Sequence, residues 1–446
     1  MLKVFFWLRY LRKKRVVILS IAAVALSVAL LVVVSSLFTG FIRTFERSAV
    51  EAMGDVVVTP PARFGHYERF IERLEETSAV AAATATLSAE GLLLLGRGNV
   101  RAVHIWGIQP RRRAAVTGFA SSLLRQGELA EGPSFAVPGK PDKVGGFVGI
   151  AVIEEPNELT DQYDFARARE MIGQEVVLTT GTVAGGRGVG GPQVKRKALV
   201  FAIADVVFTG VYYLDKNFVY LPIDEFQRKL YPHQQTSVAD QVHVKLAPGV
   251  RTDSALAQIR GVWKSFAEET LAWPQRLIDE TDIETSRQLQ SRYIAEIMKQ
   301  MGVLLVIFGV VSLAVVLLVF CIFYMIVRLK QKDIAIMQSC GAAGRSVAMI
   351  FLGFGFCAGL AGAVAGVAVG WALTRNINTV EQWIGKAFGL KLWKSSIYMF
   401  SKIPNRVDWD WAVTIMVSAV AAVCIGSLVP AIIAARTRPV EILRYE

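Results

Sequence analysis

The chain has 446 residues, 53% of them hydrophobic, and a formal charge of +12. That balance is too apolar for an ordinary soluble domain and too polar for a chain lying wholly in a bilayer, so part of each is expected. Residues 44–300 hold 29 Lys+Arg against 31 Asp+Glu, while the rest of the chain holds 20 against 6; a basic excess beside the apolar runs suits membrane orientation and excludes the basic folded face of a nucleic-acid binder.

Residues 1–15 carry Lys3, Arg9, Arg12, Lys13, Lys14 and Arg15 without an acid, and the positive-inside rule keeps them cytoplasmic. Residues 16–39, "VVILSIAAVALSVALLVVVSSLFT", are uncharged and long enough to cross a hydrocarbon core of about 30 Å. They exceed a signal peptide's apolar region and precede no A-x-A site, so a retained anchor is expected. Residues 40–53 continue the helical pattern with Phe41, Phe45 and Ala49 on one stripe.

The region 40–300 reads as an extracytoplasmic mixed α/β domain on helical stalks. None of the four cysteines (Cys321, Cys340, Cys357, Cys424) lies between residues 44 and 300, so this domain must be stable without disulfides. "DQVHVKLAPG" at 240–249 alternates as a strand, with Val242, Val244 and Leu246 on one side and Gln241, His243 and Lys245 on the other. A helix follows, capped by Asp253 or Ser254, with Leu256, Ile259, Trp263 and Phe266 on its inner face. "EVVLTT" and "KALVFAIADVVFTG" predict further strands. Between them lies "GTVAGGRGVGGPQVKR", residues 181–196. A phosphate cradle needs a helix leading out and a Lys-Ser/Thr ending; a strand pattern follows here instead, so the segment reads as a hairpin tip. The histidines (His66, His104, His233, His243) are scattered without metal-ligand spacing and read as surface or half-buried residues. No catalytic constellation and no metal site is expected. Residues 284–300, "ETSRQLQSRYIAEIMKQ", place Leu289, Tyr293 and Ile297 on one stripe and read as a second stalk running into the next span.

Three further apolar runs follow: 302–327, 347–374 and 411–435. Four spans put residues 328–346 and 436–446 in the cytoplasm and residues 375–410 outside. Arg328, Lys330, Lys332, Arg345, Arg436, Arg438 and Arg444 agree with that topology. Arg375, Lys386, Lys391, Lys394, Lys402 and Arg406 run against it; the first helix takes precedence. No ionisable residue interrupts a span, which argues against a one-chain ion-coupled transporter. The third span carries Gly355, Gly359, Gly362, Gly366 and Gly370, a small-residue stripe for close helix packing, either within this chain or against a second subunit.

The order of one span, a large outer domain and three spans resembles the type VII ABC transporter permeases. "LRYLRKKR", "FTGVYYLDKNFVYLPIDEFQRKL" (208–230), "IYMFSKIPNRVDW" (397–409) and "LVPAIIAARTRPVEILRYE" (428–446) are similar to the lipoprotein-releasing, LolC/LolE-type branch. The resemblance implies a non-catalytic permease subunit that binds no cofactor. It would work with a second permease copy or paralogue and a cytoplasmic ABC ATPase dimer holding ATP and Mg. The implied function is mechanotransmission that lifts lipoproteins from the outer leaflet of the inner membrane, in contact with membrane lipids, and passes them to a periplasmic lipoprotein carrier. Alternatives on the same fold are an FtsX-like scaffold regulating extracytoplasmic enzymes and a MacB-like efflux permease. In the resembled branch the 181–196 hairpin docks the carrier through bulky apolar residues. Here that tip is Gly185, Gly186, Arg187 and Gly188, a docking candidate by position but not by composition.

The same resemblance places a coupling helix at "KQKDIAIMQSCGAAGRS", residues 330–346. Read alone, the stretch is a basic re-entry loop or a short helix with Ile334, Met337 and Gly341 on one face. As a coupling helix it is expected to present Ile334 and Met337 to a groove on the ATPase, with Lys332 and Asp333 as polar rim. Gly341 and Gly344 are expected to end or bend it.

Overall fold

The structure is a computed structural model that describes residues 15–96, 98–129, 132–157, 160–184, 193–234, 236–389, 391, 393–394, 400 and 402–436. It divides into two compact units, one of residues 44–293 with 384–402, the other of residues up to 43 with 294–383 and 403 onward.

The first unit is built on a nine-stranded sheet in the order β11-β1-β10-β3-β4-β8-β5-β7-β6. Its strands are β1 (Val56–Thr59), β3 (Val80–Leu94), β4 (Val100–Ile108), β5 (Gly145–Gly149), β6 (Glu175–Ala184), β7 (Gln193–Val207), β8 (Phe218–Pro222), β10 (Gln241–Leu246) and β11 (Asp282–Thr285). A separate two-stranded pairing joins β2 (Phe64–Gly65) to β9 (Val238–Ala239). The 15-residue β3 serves two neighbourhoods. Its first half pairs with β10, Val242 opposite Ala85, while its second half pairs with β4 on one side and β6 on the other. The β3–β6 pairing closes the order β3-β4-β8-β5-β7-β6 on itself, so those six strands leave no open edge at β6, while β11 remains an edge of the sheet. Close approach explains Gly149, where a Cβ would lie 2.2 Å from the Asp215 carbonyl oxygen.

Two helices seal the β1–β10 side. Tyr67–Glu75 buries Tyr67, Phe70, Ile71 and Leu74, and Thr252–Glu269 buries Leu256, Ile259, Trp263 and Phe266. The inner-face residues expected of the second helix are all buried; its start is Thr252, with no side-chain cap from Asp253 or Ser254. Phe70 meets Trp263 edge-on at 5.1 Å and Phe64 meets it at 5.3 Å, geometry worth about 1 kcal/mol per pair beyond area burial. From the segment 384–402, Phe400 bridges to Val211 and packs edge-on against Phe45 at 6.4 Å.

The second unit holds the apolar helices. Among the described residues four are long and apolar enough to cross a membrane. They lie within the helices Arg15–Met53, Ser291–Leu329, Gly344–Arg375 and Trp409–Ala435, here called the first to fourth spans. The first runs unbroken through residues 40–53, as the stalk pattern predicts. The second stalk differs: β11 ends at Thr285, a short helix covers Ser286–Leu289, and the long helix starts only at Ser291. Thr285 sets the first of these boundaries, where the strand gives way to the short helix. Its hydroxyl and the Gln288 side chain form a reciprocal capping box that starts a new helix where the pattern suggests a continuous one.

Candidate functional site

Between the second and third spans a helix covers Gln331–Ser339. Its start is held by an ion pair from Lys330 to Asp333. Its end is a left-handed glycine cap. Gly341 sits at φ +92, and the Gly341 and Ala342 amides donate to Gln338 O at 3.0 Å and Met337 O at 3.1 Å. The third span begins at Gly344, where a Cβ would approach Ala435 O to 2.6 Å. Gln338 Nε2 reaches the carbonyls of Ala434 (3.4 Å) and Ala435 (3.3 Å). The helix is thus tied to the end of the fourth span, whose last carbonyls lack partners of their own.

That attachment decides which side chains face outward, and it corrects the expectation for Ile334. Ile334 is 0% exposed and belongs to the core cluster of this chain's own bundle, with Val327, Val347 and Ala431. Met337 is half-buried against the same cluster. The apolar side chain that faces out is Ile336, 52% exposed, with Lys332, Asp333 and Ser339 exposed around it. A helical wheel separates Ile334 and Ile336 by two residues, on opposite sides. The sequence shows two isoleucines, and only the tertiary packing tells which one is covered.

The glycine stripe of the third span packs inside the same chain and splits between two neighbours. A Cβ on Gly355 would lie 2.4 Å from Ser427 Oγ, and one on Gly359 would lie 3.1 Å from Val423 Cβ, both on the fourth span. Gly362, Gly366 and Gly370 face the first span, where a Cβ would meet Ile21 O at 3.0 Å, Ala25 O at 2.6 Å and Ala29 O at 3.2 Å. All five are buried. The second span is held differently: its outward residues Val303, Val306, Val310 and Leu313 are exposed, and Ser312 shares a 3.1 Å hydroxyl bond with Ser27.

The hairpin tip residues Gly185, Gly186, Arg187 and Gly188 lie outside the described residues. Among the described residues no group of three or more His, Cys, Asp or Glu could hold a metal ion. His243 is not the surface or half-buried residue expected. It is fully buried, because β10 lies between β1 and β3 with both faces covered. Two carboxylates that the sequence did not single out are also buried. Asp205 accepts from the amides of Gln126 (2.7 Å) and Val206 (2.8 Å), and burial raises its pKa. Asp215 accepts from the Thr209 amide (2.7 Å), the Thr209 hydroxyl (2.8 Å) and the Gly210 amide (3.1 Å). Burial pushes it up to about 7 against those bonds.

Two family models cover most of the chain. The MacB-like periplasmic core domain matches residues 17–262, and the FtsX-like permease C-terminal region matches residues 305–443. The chain belongs to this MacB/FtsX-like permease family. It is thereby a member of the type VII ABC permease superfamily, whose permease subunits are non-catalytic. Over its whole length it is similar to the lipoprotein-releasing system transmembrane protein LolC of Neisseria meningitidis, 26% identical across 98% of both chains. A shorter stretch is 34% identical to LolE of Haemophilus influenzae, covering 27% of this chain and 29% of that protein. Among solved structures, the periplasmic region of MacB from Actinobacillus actinomycetemcomitans aligns with 55% of this chain and 95% of its own, at 14% identity and a TM-score of 0.31.

Proposed function

We propose that this permease is the membrane subunit of an ATP-driven complex that lifts lipoproteins from the outer leaflet of the inner membrane. The observation that carries the reading is the end-to-end similarity to LolC, 98% of each chain. Its partners on this reading are a cytoplasmic ATPase dimer that holds ATP and Mg, and a second permease copy or paralogue. A soluble periplasmic carrier receives the cargo, and membrane lipids surround the spans. Both termini and the Gln331–Ser339 helix are then cytoplasmic, and residues 44–293 are periplasmic.

Physical chemistry supplies the reason for ATP. Exposing a buried acyl methylene costs about 0.8 kcal/mol, so an anchor with tens of methylenes cannot leave the bilayer unaided. Work must reach the outer face from the ATPase. The Gln331–Ser339 helix offers the ATPase one exposed isoleucine, Ile336, in a polar surround, and it is bonded to the fourth span through Gln338. Push on that helix is therefore delivered to the bundle.

The FtsX-like match over residues 305–443 supports a second reading, a scaffold that switches extracytoplasmic enzymes; the MacB-like match supports efflux in the same way. Depletion separates them. Lipoproteins retained in the inner membrane fraction favour extraction, and chained cells with normally sorted lipoproteins favour the scaffold. Increased sensitivity to small molecules alone favours efflux. A tagged chain that brings down no nucleotide-binding subunit in mild detergent would defeat all three.

A further inference from the structure

The first stalk ends in a row of consecutive carbonyls, each taken by a different donor of the first unit. Glu51 O accepts from the Gly118 amide at 2.8 Å, and Ala52 O accepts from the Arg113 guanidinium. Met53 O lies 2.9 Å from His243 Nδ1, so that nitrogen carries the proton. Gly54 O accepts from the Ser286 hydroxyl, and Asp55 O from the Ser286 amide at 3.1 Å. A helix ordinarily leaves its last carbonyls to water or to a local cap. Here the donors come from positions 113, 118, 243 and 286, which are remote in sequence.

The donors are unusual in kind. Arg113 is 2% exposed, and among the described residues no carboxylate forms an ion pair with it. What faces its charge is the negative end of the helix dipole and the Trp106 ring at 4.7 Å. Burial lowers its pKa to about 10. Burying a cation costs free energy unless it is bonded; this guanidinium donates to Ala52 O and, at 3.3 Å, to Thr86 Oγ1, while its buried Nε has no hydrogen-bond partner among the described residues. His243 is fully buried, and burial followed by the Arg113 charge keeps it neutral well below its ordinary range. Its bond to Met53 O therefore does not depend on protonation near neutrality.

The same place anchors the second stalk. Val56 pairs with Thr285 across β1 and β11, and Arg287 reaches Glu46 on the first stalk at 3.2 Å. Gly54, at φ +83, turns the chain where a Cβ would meet Val116 Cγ1 at 2.8 Å. Both stalk roots are thus bonded to one another and to the sheet within a few residues.

We propose that this carbonyl row is the joint through which stalk movement drives the outer domain, with Arg113 and His243 as its positioning residues. The inference rests on the lipoprotein-release reading for its cargo but not for its mechanics. The test uses the full complex with its ATPase in proteoliposomes. Arg113→Met removes the donors and keeps the stem; Ser286→Ala removes one hydroxyl. For Arg113→Met, ATP turnover is expected within twofold of wild type while release falls at least tenfold. For Ser286→Ala release falls at least threefold. Release unchanged in a folded Arg113→Met variant overturns the joint, as does a parallel fall in turnover and release, which marks a merely structural role. If Arg113→Met is lost from the membrane, Ser286→Ala decides: unchanged release overturns the proposal. Spin labels at the exposed positions Arg47 and Lys264, on a background lacking the four native cysteines, read the joint without cargo. Wild type is expected to keep one distance with and without ATP, and Ser286→Ala and Arg113→Met to show an ATP-dependent change. A distance that shifts with ATP in wild type overturns the joint. A wild-type complex that keeps the fixed distance yet releases no lipoprotein overturns the cargo and leaves the joint standing.

Discussion

Arg43 and Asp408 are joined at 2.7 Å, and the same Asp408 carboxylate caps the fourth span by accepting from the Asp410 amide at 3.2 Å. One side chain thus ties the first-span helix at Arg43 to the start of the fourth span. Beside it, a Cβ on Gly40 would lie 2.8 Å from Pro404 Cβ, so the two segments already touch. Arg43 is largely exposed, which limits the ion pair to about 0–1 kcal/mol, whereas loss of a helix cap costs about 1 kcal/mol. Asp408→Asn, which keeps the cap, is expected to lower the thermal midpoint of the detergent-solubilised chain only slightly. Asp408→Ala should lower it by several degrees. Equal effects would show that the cap contributes nothing.

Ile336 and Ile334 make a matched pair for the coupling reading. Ile336→Asp puts a charge on an exposed face and is expected to leave the chain folded while separating ATP turnover from lipoprotein release. Ile334→Asp buries a carboxylate among Val327 and Val347, which should cost several kcal/mol and deplete the chain from the membrane. Full activity for Ile336→Asp would return Gln331–Ser339 to being a simple connection. Met337→Asp, half-buried, should fall between the two.

Reading by pattern succeeds here where one physical rule governs a whole element. Uncharged runs long enough for a bilayer and a 3.6 period over Leu256, Ile259, Trp263 and Phe266 each admit one local answer. It fails where the answer is set across the chain. His243 alternates with Val242 and Val244 as a solvent-facing residue would, yet neighbouring strands and the stalk root cover it. Arg113 stands in "RRR", where nothing in the pattern tells the three apart, and only the third arginine turns inward to meet Ala52 O. Ile334 and Ile336 are chemically the same residue; the fourth span chooses between them. The local signal near Arg113 is Pro110, three residues before it, which starts a seven-residue helix too short to stand without anchoring.

The glycine stripe offers a control within one chain. A side chain at Gly366 would press on Ala25 O at 2.6 Å and Val28 Cβ at 2.7 Å, both set in a helix that cannot shift alone. Gly366→Leu is therefore expected to cost at least 1–3 kcal/mol of overpacking and to cut the amount of folded chain in the membrane severely. Gly309→Leu, where nothing lies within 4 Å, should accumulate normally. Fluorescence-detected size-exclusion profiles of the two variants make the comparison; similar profiles would mean that the first and third spans do not pack at Gly366.

Asp215 and His243 give the chain opposite pH responses. Burial raises the Asp215 carboxyl from 3.8 to about 7. Between those values the folded chain holds a proton that the unfolded chain has released, so stability falls as pH rises, and the contribution is gone above about 7. The displacement corresponds to at most ~4 kcal/mol. His243 works the other way. Burial holds it below its ordinary 6.5, so under acid conditions the unfolded chain gains a proton that the folded one refuses, and stability falls as pH drops below that point. The two oppose each other between about pH 4 and 6.5, and Asp215 acts with little opposition from 6.5 to 7.5. Wild type is therefore expected to lose stability in denaturant titrations between pH 6.5 and 8. Asp215→Asn should flatten that slope, at a constant cost of about 1 kcal/mol for the bond lost to the Gly210 amide. His243→Asn should remove the loss on the acid side while leaving the Asp215 slope in place. A slope between pH 6.5 and 8 that survives in Asp215→Asn would assign the titration to another group.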